Sequence, residues 1–240
     1  MVPTYRHALI VGAGSGLSAS IARLMAADGL AVSLAARSTG DLEALAAETG
    51  AGVHACDAGD HTAVAALFAA LDAGPAGAPD VVVYNPSARQ RGPLVELDPE
   101  TVTRAVQVTA LGAFYVAREA ALRMQPGGAG SEGHGALLFT GASAGVKGYP
   151  RSAPFAMGKF ALRGLAQSLA RELHPCGIHV GHFVIDGGIL NPARPDRRGG
   201  GTADALLDPD AIARSYRHFL AQDRSAWAWE VELRPWVETF

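Results

Sequence analysis

Short apolar runs alternate along this chain with stretches whose hydrophobic residues repeat at helical spacing. The first run, Ala8-Leu9-Ile10-Val11, ends in glycines as a buried strand does, and residues 16–28 follow with Ile21, Leu24 and Met25 on one helical face. The same patterns predict further strands at residues 31–35, 53–55, 81–84, 136–140 and 178–184, with a last strand between Trp229 and Trp236. Further helices are predicted at residues 41–49, up to about 71, from about 99 onward, and at 152–174.

This alternation predicts an α/β fold. Parallel strands need crossover connections, which are usually helices, so a repeated strand–helix order gives a parallel sheet with helices on both faces. We expect a three-layer, doubly wound parallel sheet of about seven strands. A chain of 240 residues that is 49% hydrophobic can bury one large core, so a single domain covering residues 1–240 is expected.

Two stretches break the alternation. Residues 125–135 are glycine-rich and polar, and we predict a surface loop there. Residues 191–202 read NPARPDRRGGGT and are not expected to pack as a regular element. Because ligands bind beyond the carboxyl ends of the strands in open α/β sheets, a flexible segment at about 188–215 is well placed to cover a substrate. An ordinary surface loop is the equal alternative.

Charge and cysteine content narrow the class of protein. The formal net charge is −3, which disfavours sequence-independent binding to nucleic acid or to an anionic membrane. Residues 1–7 lack a signal-peptide pattern, and no apolar run reaches the length of a membrane span, so a cytoplasmic protein is expected. Cys56 and Cys176 are expected to be reduced thiols. The histidines on or near strands show no metal-ligand spacing, so no metal site is predicted.

A glycine-rich loop follows the first predicted strand and opens the first helix. It reads Gly12-Ala13-Gly14-Ser15-Gly16-Leu17-Ser18, which is G-x-x-x-G-x-S rather than G-x-G-x-x-G. Glycines let the backbone approach a pyrophosphate, and free N–H groups at a helix start bind anions. In this strand–loop–helix context the loop predicts a dinucleotide site, with a plain glycine turn as the weaker alternative. The residues predicted to contact the cofactor here are Gly12, Gly14, Ser15, Gly16 and Leu17.

Two charged residues bear on which dinucleotide binds. An NAD site usually places an acidic residue near the end of the second strand, where this chain has Arg37. The planar guanidinium suits a 2′-phosphate, so NADP(H) is favoured over NAD(H). A solvated arginine at a helix start is the alternative, although a cation there opposes the helix dipole. Asp57, after the third strand, is a candidate acceptor for the adenine amino group or a helix cap.

Taken together, these features resemble the short-chain dehydrogenase/reductase family. Besides the glycine loop, the matching pieces are Cys56-Asp57, Tyr84-Asn85-Pro86-Ser87-Ala88, Lys159, the helical residues 161–173 and Gly177-Ile178-His179-Val180. The resemblance covers most of the chain. It implies a Rossmann-type domain, hydride transfer between a nicotinamide cofactor and a small organic substrate, and a homodimer or homotetramer. It also implies that Asn85, Lys159 and Gly187 contribute to the cofactor site.

The catalytic residues of this family are a tyrosine, a lysine, a serine and an asparagine, and only the lysine carries over, as Lys159. The tyrosine position is Phe155, the serine position is Ala142 and the asparagine position is Thr109. The family's Pro-Gly after the sixth strand is Asp186-Gly187 here. Because loss of a general acid typically lowers a rate by about 10²–10⁴, ordinary alcohol dehydrogenation is in doubt.

Two nearby residues are candidates for a substitute catalytic role. Ser143 is adjacent to Ala142, and it reaches the site only if the strand bulges or has already ended, since successive strand side chains point to opposite faces. Asp186 in an apolar cleft could act as an acid. A turn residue before Gly187 is the more ordinary interpretation of Asp186.

Two functions therefore remain open. The first is an NADPH-dependent reductase with altered chemistry, in which reduction of an activated C=C bond is attractive because an enolate needs electrostatic stabilisation more than a strong acid. The second is a catalytically inactive NAD(P)-binding protein that acts as a sensor or a partner subunit. The loss of three catalytic positions favours the second, whereas the retained lysine and cofactor loop favour the first.

Overall fold

The computed structural model describes residues 4–126, 133–191 and 203–238. Its strands are β1 (His7–Val11), β2 (Ala31–Ala36), β3 (Gly52–Ala55), β4 (Val81–Tyr84), β5 (Gly135–Thr140), β6 (Ile178–Ile185), β7 (Gly188–Ile189), β8 (Leu206–Leu207) and β9 (Glu230–Leu233). Seven of them form a parallel sheet in the order β3-β2-β1-β4-β5-β6-β9, and β7 pairs with β8 separately. The predicted α/β sheet of about seven strands is confirmed.

Helices cover both faces of this sheet. They are α1 (Leu17–Ala27), α2 (Glu43–Thr49), α3 (His61–Ala73), α4 (Pro99–Val106), α5 (Gly112–Met124), α6 (Ala153–Leu173) and α7 (Pro209–Leu220). One core lies between the sheet and α3, α5 and α6, and contains Phe68 and Leu162. The other lies between the sheet and α1 and α7, and contains Ile21 and Tyr216. The three layers are therefore helix, sheet and helix.

Strand β1 shows why the sheet needs both helical layers. All five of its residues are buried. Leu9 and Val11 join one core, and Ala8 and Ile10 join the other, because successive side chains on a strand point to opposite faces. A strand with apolar residues on both faces, such as residues 8–11 of β1, is stable only when helices cover both faces of the sheet.

The strand order also fixes where a ligand can bind. The chain winds from β1 outward to β3 in one direction and from β4 outward to β9 in the other. The loops that follow β1 and β4 therefore diverge and leave a crevice at the carboxyl ends of these strands, which is where ligands bind in open α/β sheets. The glycine loop after β1 and Asn85 after β4 both lie at this crevice.

Several elements differ from the sequence prediction, including β7 and β8, which pair within the segment that was expected to be flexible. The long helix expected from about residue 99 is divided by a π-helical turn at Gln107–Leu111. Helix α7 was not predicted, although Asp208 caps it by accepting a hydrogen bond from the N–H of Asp210, and Pro209 occupies its first turn. Much of the predicted covering segment, residues 192–202, lies outside the described residues. Residues 209–215 at its far end form the first turns of α7.

Within the described part of the chain, every helix is too short or too polar to cross a lipid bilayer. Cys56 and Cys176 are both free thiols, as expected.

Candidate cofactor and substrate site

The loop after β1 is held in a conformation that requires glycine. Gly12 has a φ of +78°, and a side chain there would lie 2.6 Å from the backbone nitrogen of Pro86. The hydroxyl of Ser18 donates to the carbonyl of Gly12 at 3.0 Å, and the amide of Asn85 donates to that hydroxyl at 2.6 Å. Asn85 thus ties the β4 loop to the glycine loop. The sequence indicated Asn85 but missed Ser18.

The start of helix α1 is suited to bind an anion. No described side chain caps its first turn; the N–H of Ala19 donates to the carbonyl of Gly16, and free N–H groups at a helix start can bind an anion. A side chain added at Gly14 would meet no described atom within 4 Å, which leaves room for a ligand against the backbone. Leu17 is 4% exposed and packs in the core, so only its backbone can face a ligand. Ser15 is exposed and Gly16 caps the helix. These residues fit a dinucleotide pyrophosphate.

The predicted adenosine end of the site carries a charged pair that the sequence did not reveal. Asp57 forms an ion pair with Arg104 of α4 and accepts a hydrogen bond from the N–H of Gly59 at 2.9 Å. Partial burial opposes ionisation of Asp57, but Gly59, Arg104 and the nearby Arg37 outweigh it and lower the pKa of this carboxyl. Arg37 itself is exposed just beyond β2. Asp57 is therefore an ionised acceptor, and the cap of α3 is Asp60 instead.

Phe155 lies in a pocket between two cations. Its side chain is 6% exposed at the start of α6. The guanidinium carbon of Arg89 lies 4.2 Å from the centroid of the Phe155 ring, and the Nζ atom of Lys159 lies 5.9 Å from the same centroid. The position of the family tyrosine is thus an apolar ring contacted by positive charge. The sequence gave no sign that Arg89 reaches it.

Lys159, which occupies the position of the family lysine, is almost fully buried. It is 3% exposed, and its Nζ donates to the backbone carbonyl of Thr140 at 2.6 Å. Burial, followed by the charge of Arg89, lowers the pKa of Lys159 to about 7. A lysine ammonium has three donors, so two remain for a cofactor ribose or a substrate oxygen.

The other two substituted positions also lie near this pocket. Thr109 is 1% exposed in the π-helical turn, and its hydroxyl accepts a hydrogen bond from the N–H of Ala88 at 3.3 Å. Strand β5 ends at Thr140, and Ala142 precedes a 3₁₀ turn that begins at Ser143. The strand has therefore ended before Ser143, which is one of the two conditions under which Ser143 can reach the site.

Asp186 and Gly187 follow β6. Asp186 is 6% exposed, and its carboxylate lies 3.6 Å from Lys147 and 3.5 Å from Arg234. These two contacts place Asp186 in a structural network of ion pairs. Gly187 has a φ of +152°, and a side chain there would lie 2.9 Å from Pro235, so a glycine is required.

A buried polar network lies beside α6. His182 is fully buried in β6, and its Nδ1 lies 2.9 Å from the carboxylate of Glu230, which also accepts two hydrogen bonds from Arg163. Burial lowers the pKa of His182 to about 4 despite the opposing effect of Glu230. The part of the chain that the structure describes contains no cluster of three or more metal-ligating side chains.

Comparison with known proteins relates this chain to a family. The sequence model described as short chain dehydrogenase matches residues 6–193. The chain is similar to the 3-oxoacyl-(acyl-carrier-protein) reductase MabA of Mycobacterium avium, with 29% identity over 173 residues, which is 72% of this chain and 63% of that protein. It thus spans less than two thirds of that relative. It is also 30% identical over 194 residues to the cyclic-di-GMP-binding biofilm dispersal mediator protein of Escherichia coli, covering 80% of this chain and 76% of that protein.

Solved structures show the same relationship over the whole chain. A short-chain dehydrogenase from Rhodopseudomonas palustris is 31% identical, with a TM-score of 0.82, and the match covers 98% of this chain and 100% of that one. An alcohol dehydrogenase from Thermococcus sibiricus, complexed with 5-hydroxy-NADP, is 25% identical with a TM-score of 0.80 and 98% coverage of both chains. The glycine loop, the sheet order and these matches agree, and the chain belongs to the short-chain dehydrogenase family.

Proposed function

We propose that this protein is an NADP(H)-dependent reductase of an activated C=C bond, such as that of an enone or an enoyl thioester. The observation that carries this proposal is the buried Lys159 beside the apolar ring of Phe155. Such a pocket lets the protonated amine of Lys159 meet a substrate oxygen that becomes negative, but it lacks the phenol that protonates an alcohol product. Carbonyl reduction needs that proton donor, whereas enolate formation needs the charge.

When bound, the reduced nicotinamide supplies the hydride. Lys159 in its protonated form holds the cofactor ribose and stabilises negative charge on the substrate oxygen. Phe155 excludes water from one side of the substrate. The proton that completes the product comes from Ser143 or from water. Asp186 is the weaker candidate because Lys147 and Arg234 lie beside it.

The alternative is a binding protein without turnover. One similar protein is named for binding cyclic-di-GMP rather than for a reaction, which supports this second candidate. Consumption of NADPH distinguishes the two functions. Purified protein is mixed with NADPH and a panel of enones, enoyl thioesters and ketones, and loss of absorbance at the nicotinamide band is followed. Turnover of enones or enoyl thioesters supports the reductase, whereas silence towards the whole panel with intact NADPH binding supports the binding protein.

The preference for NADPH rests on Arg37. This side chain is exposed at the carboxyl end of β2, where the ribose 2′ position lies in dinucleotide folds. A similar alcohol dehydrogenase was solved with a modified NADP, which supports the same preference.

An Arg37→Ala variant is therefore expected to bind NADPH about 10–100-fold more weakly and NADH about as well as before, because only the 2′-phosphate loses a charged partner. Fluorescence titration with both cofactors measures this. Arg23→Ala, on the exposed side of α1, is the matched control and leaves both affinities unchanged. Equal weakening of NADPH and NADH would contradict the assignment.

We also propose that the protein forms a homo-oligomer through the outer surface of α5 and α6. Four large apolar side chains are exposed on these helices and on the π-helical turn before α5: Leu111 is 48%, Phe114 46%, Met157 54% and Phe160 45% exposed. Exposed apolar surface of this kind is typical of interfaces between copies of a chain.

A Phe114→Glu, Phe160→Glu double variant is expected to be a monomer, because burying two carboxylates in a subunit interface is unfavourable. Light scattering after size-exclusion chromatography measures the mass of each protein. The control is Val95→Glu, which changes an exposed apolar residue elsewhere (92% exposed) and keeps the oligomer. A wild type that is monomeric at micromolar concentration contradicts this proposal.

A further inference from the structure

The two loops that border Phe155 carry charge of one sign. Residues 85–93 contain Arg89 and Arg91, residues 141–152 contain Lys147 and Arg151, and neither loop contains an aspartate or a glutamate. The whole chain has a net charge of −3, so this positive charge is local.

These loops follow β4 and β5, which are neighbours in the sheet. They also touch directly, since the N–H of Gly92 donates to the carbonyl of Arg151 at 3.1 Å. Both loops therefore line the same part of the crevice. Because Lys147 pairs with Asp186, the positive potential that a ligand meets there comes mainly from the arginines of the two loops.

Arg89 is the cation that reaches furthest towards the reacting position. Its guanidinium carbon lies 4.2 Å from the centroid of the Phe155 ring, and Lys159 approaches the same ring from within the protein. The charge of Arg89 also helps to lower the pKa of Lys159, so the two cations are close enough to repel each other. Like charges at this separation are unfavourable, and an anion bound between them would relieve the repulsion.

This positive charge is distinct from the one assigned to the cofactor. Arg37 follows β2 and Arg89 follows β4, and β1 lies between these two strands, so the strands are about 10 Å apart at two strand spacings. The anion recognised beside Phe155 is thus part of the substrate rather than the 2′-phosphate of the cofactor.

We propose that Arg89, together with Lys159, binds a carboxylate of the substrate beside Phe155, and that the substrate is a small organic acid. The planar fork of a guanidinium matches both oxygens of a carboxylate, and its five donors allow this bond alongside other contacts. For the reaction, this inference rests on the proposed reductase function and names the class of its substrate as an acid that carries an activated C=C bond. The proposal that the carboxylate binds at Arg89 does not depend on any turnover of the substrate.

The first test compares two substrates that differ only in charge, (E)-4-oxo-4-phenylbut-2-enoate and its methyl ester. In the wild type we expect kcat/KM for the acid to exceed that for the ester by about 10–100-fold. This factor corresponds to the free energy that hydrogen bonds to a charged group contribute. In Arg89→Gln we expect the preference to vanish through loss of activity on the acid alone. Arg91→Gln, two residues along the same loop, is the matched control and retains the preference.

The second test needs no turnover. The saturated acid 4-oxo-4-phenylbutanoate is titrated by calorimetry into the protein, with and without NADP⁺, beside its methyl ester and inorganic phosphate. We expect the acid to bind the wild type and Arg91→Gln, and to bind Arg89→Gln about tenfold or more weakly. Binding of acid and ester with equal affinity, no binding of the acid at millimolar concentration, or unchanged binding to Arg89→Gln would each overturn the proposal. Tighter, Arg89-dependent binding of phosphate would overturn the carboxylate assignment.

The two tests also separate this inference from the proposed reaction. If the acid binds through Arg89 but no compound is reduced, the carboxylate site stands and the reductase function fails. If the ester and the acid are reduced at equal kcat/KM, the reductase stands and the carboxylate site fails.

Discussion

A Lys159→Met variant is expected to lose turnover while its fold becomes more stable. Lys159 is 3% exposed, and burial is the main reason that its pKa falls to about 7. Methionine has a similar volume and no charge to bury, so we expect the free energy of unfolding to rise by about 1–4 kcal/mol, in the range seen when buried ions are replaced by apolar residues. Turnover falls by about 10²–10³, the usual cost of removing one stabilising donor from an active site.

The stability gain depends on pH in a defined direction. The pKa of Lys159 is 10.5 when unperturbed and about 7 in the folded protein. Between these values the unfolded chain binds a proton that the folded chain does not, so the free energy of unfolding of the wild type rises as the pH rises from about 7 to about 10. The variant has no ionisable group at position 159, so its stability does not depend on this protonation. Its advantage is therefore greatest at pH 7 and below, and it disappears towards pH 10.

Denaturant unfolding at several pH values measures this difference, with NADPH oxidation as the second readout. Lys147→Met is the matched control, because Lys147 is exposed and burial is not the main influence on its pKa. We expect no gain in stability from this control. A Lys159→Met variant that keeps full turnover would show that the retained lysine is not part of the chemistry. A pH-independent stability difference would show that Lys159 is not neutral in the folded protein above pH 7.

A Phe155→Tyr, Ala142→Ser double variant is expected to gain carbonyl reduction. It restores two oxygens that the resemblance to the family identifies as catalytic, next to a lysine that is already in place. In its protonated form Lys159 lowers the pKa of a phenol introduced near it, which favours proton transfer to a ketone at neutral pH. We expect ketone reduction to rise by about 10²–10⁴ over the wild type, the usual contribution of a general acid.

The measurement is NADPH oxidation with a set of aliphatic and aromatic ketones. Each single variant is the control for the other, and the gain of the pair is expected to exceed the product of the two separate gains, since catalytic groups act as a unit. A double variant that binds NADPH as the wild type does and still reduces no ketone contradicts this prediction. In that case, restoring two hydroxyl groups would not be enough to restore the site. The contact of Arg89 with the ring, or the threonine at position 109 in place of the family asparagine, would be the reason.

The sequence alone predicted most of the fold because the signals that specify it are local. The apolar runs of β1 and β4 and the helical period of α1 and α6 each lie within one short segment, so hydrophobic spacing is enough to recognise them. The glycine loop was predicted for the same reason, since it sits between a strand and a helix, whereas Lys159 was indicated by the family resemblance. Helix α7 was missed even though its cap, Asp208 followed by Pro209, is a recognisable start signal.

The sequence by itself indicated the α/β fold, the glycine loop predicted to bind the cofactor and, through the family resemblance, the substituted catalytic positions 109, 142 and 155. Only the tertiary structure decided what surrounds the remaining lysine: Arg89 on the ring of Phe155, Arg104 paired with Asp57, and two cations beside Asp186. These partners lie far apart along the chain, and no residue pattern encodes a contact that depends on how separate loops meet at the edge of a sheet. Burial of Lys159, and therefore its lowered pKa, likewise arises only when α6 packs against the loop after β5.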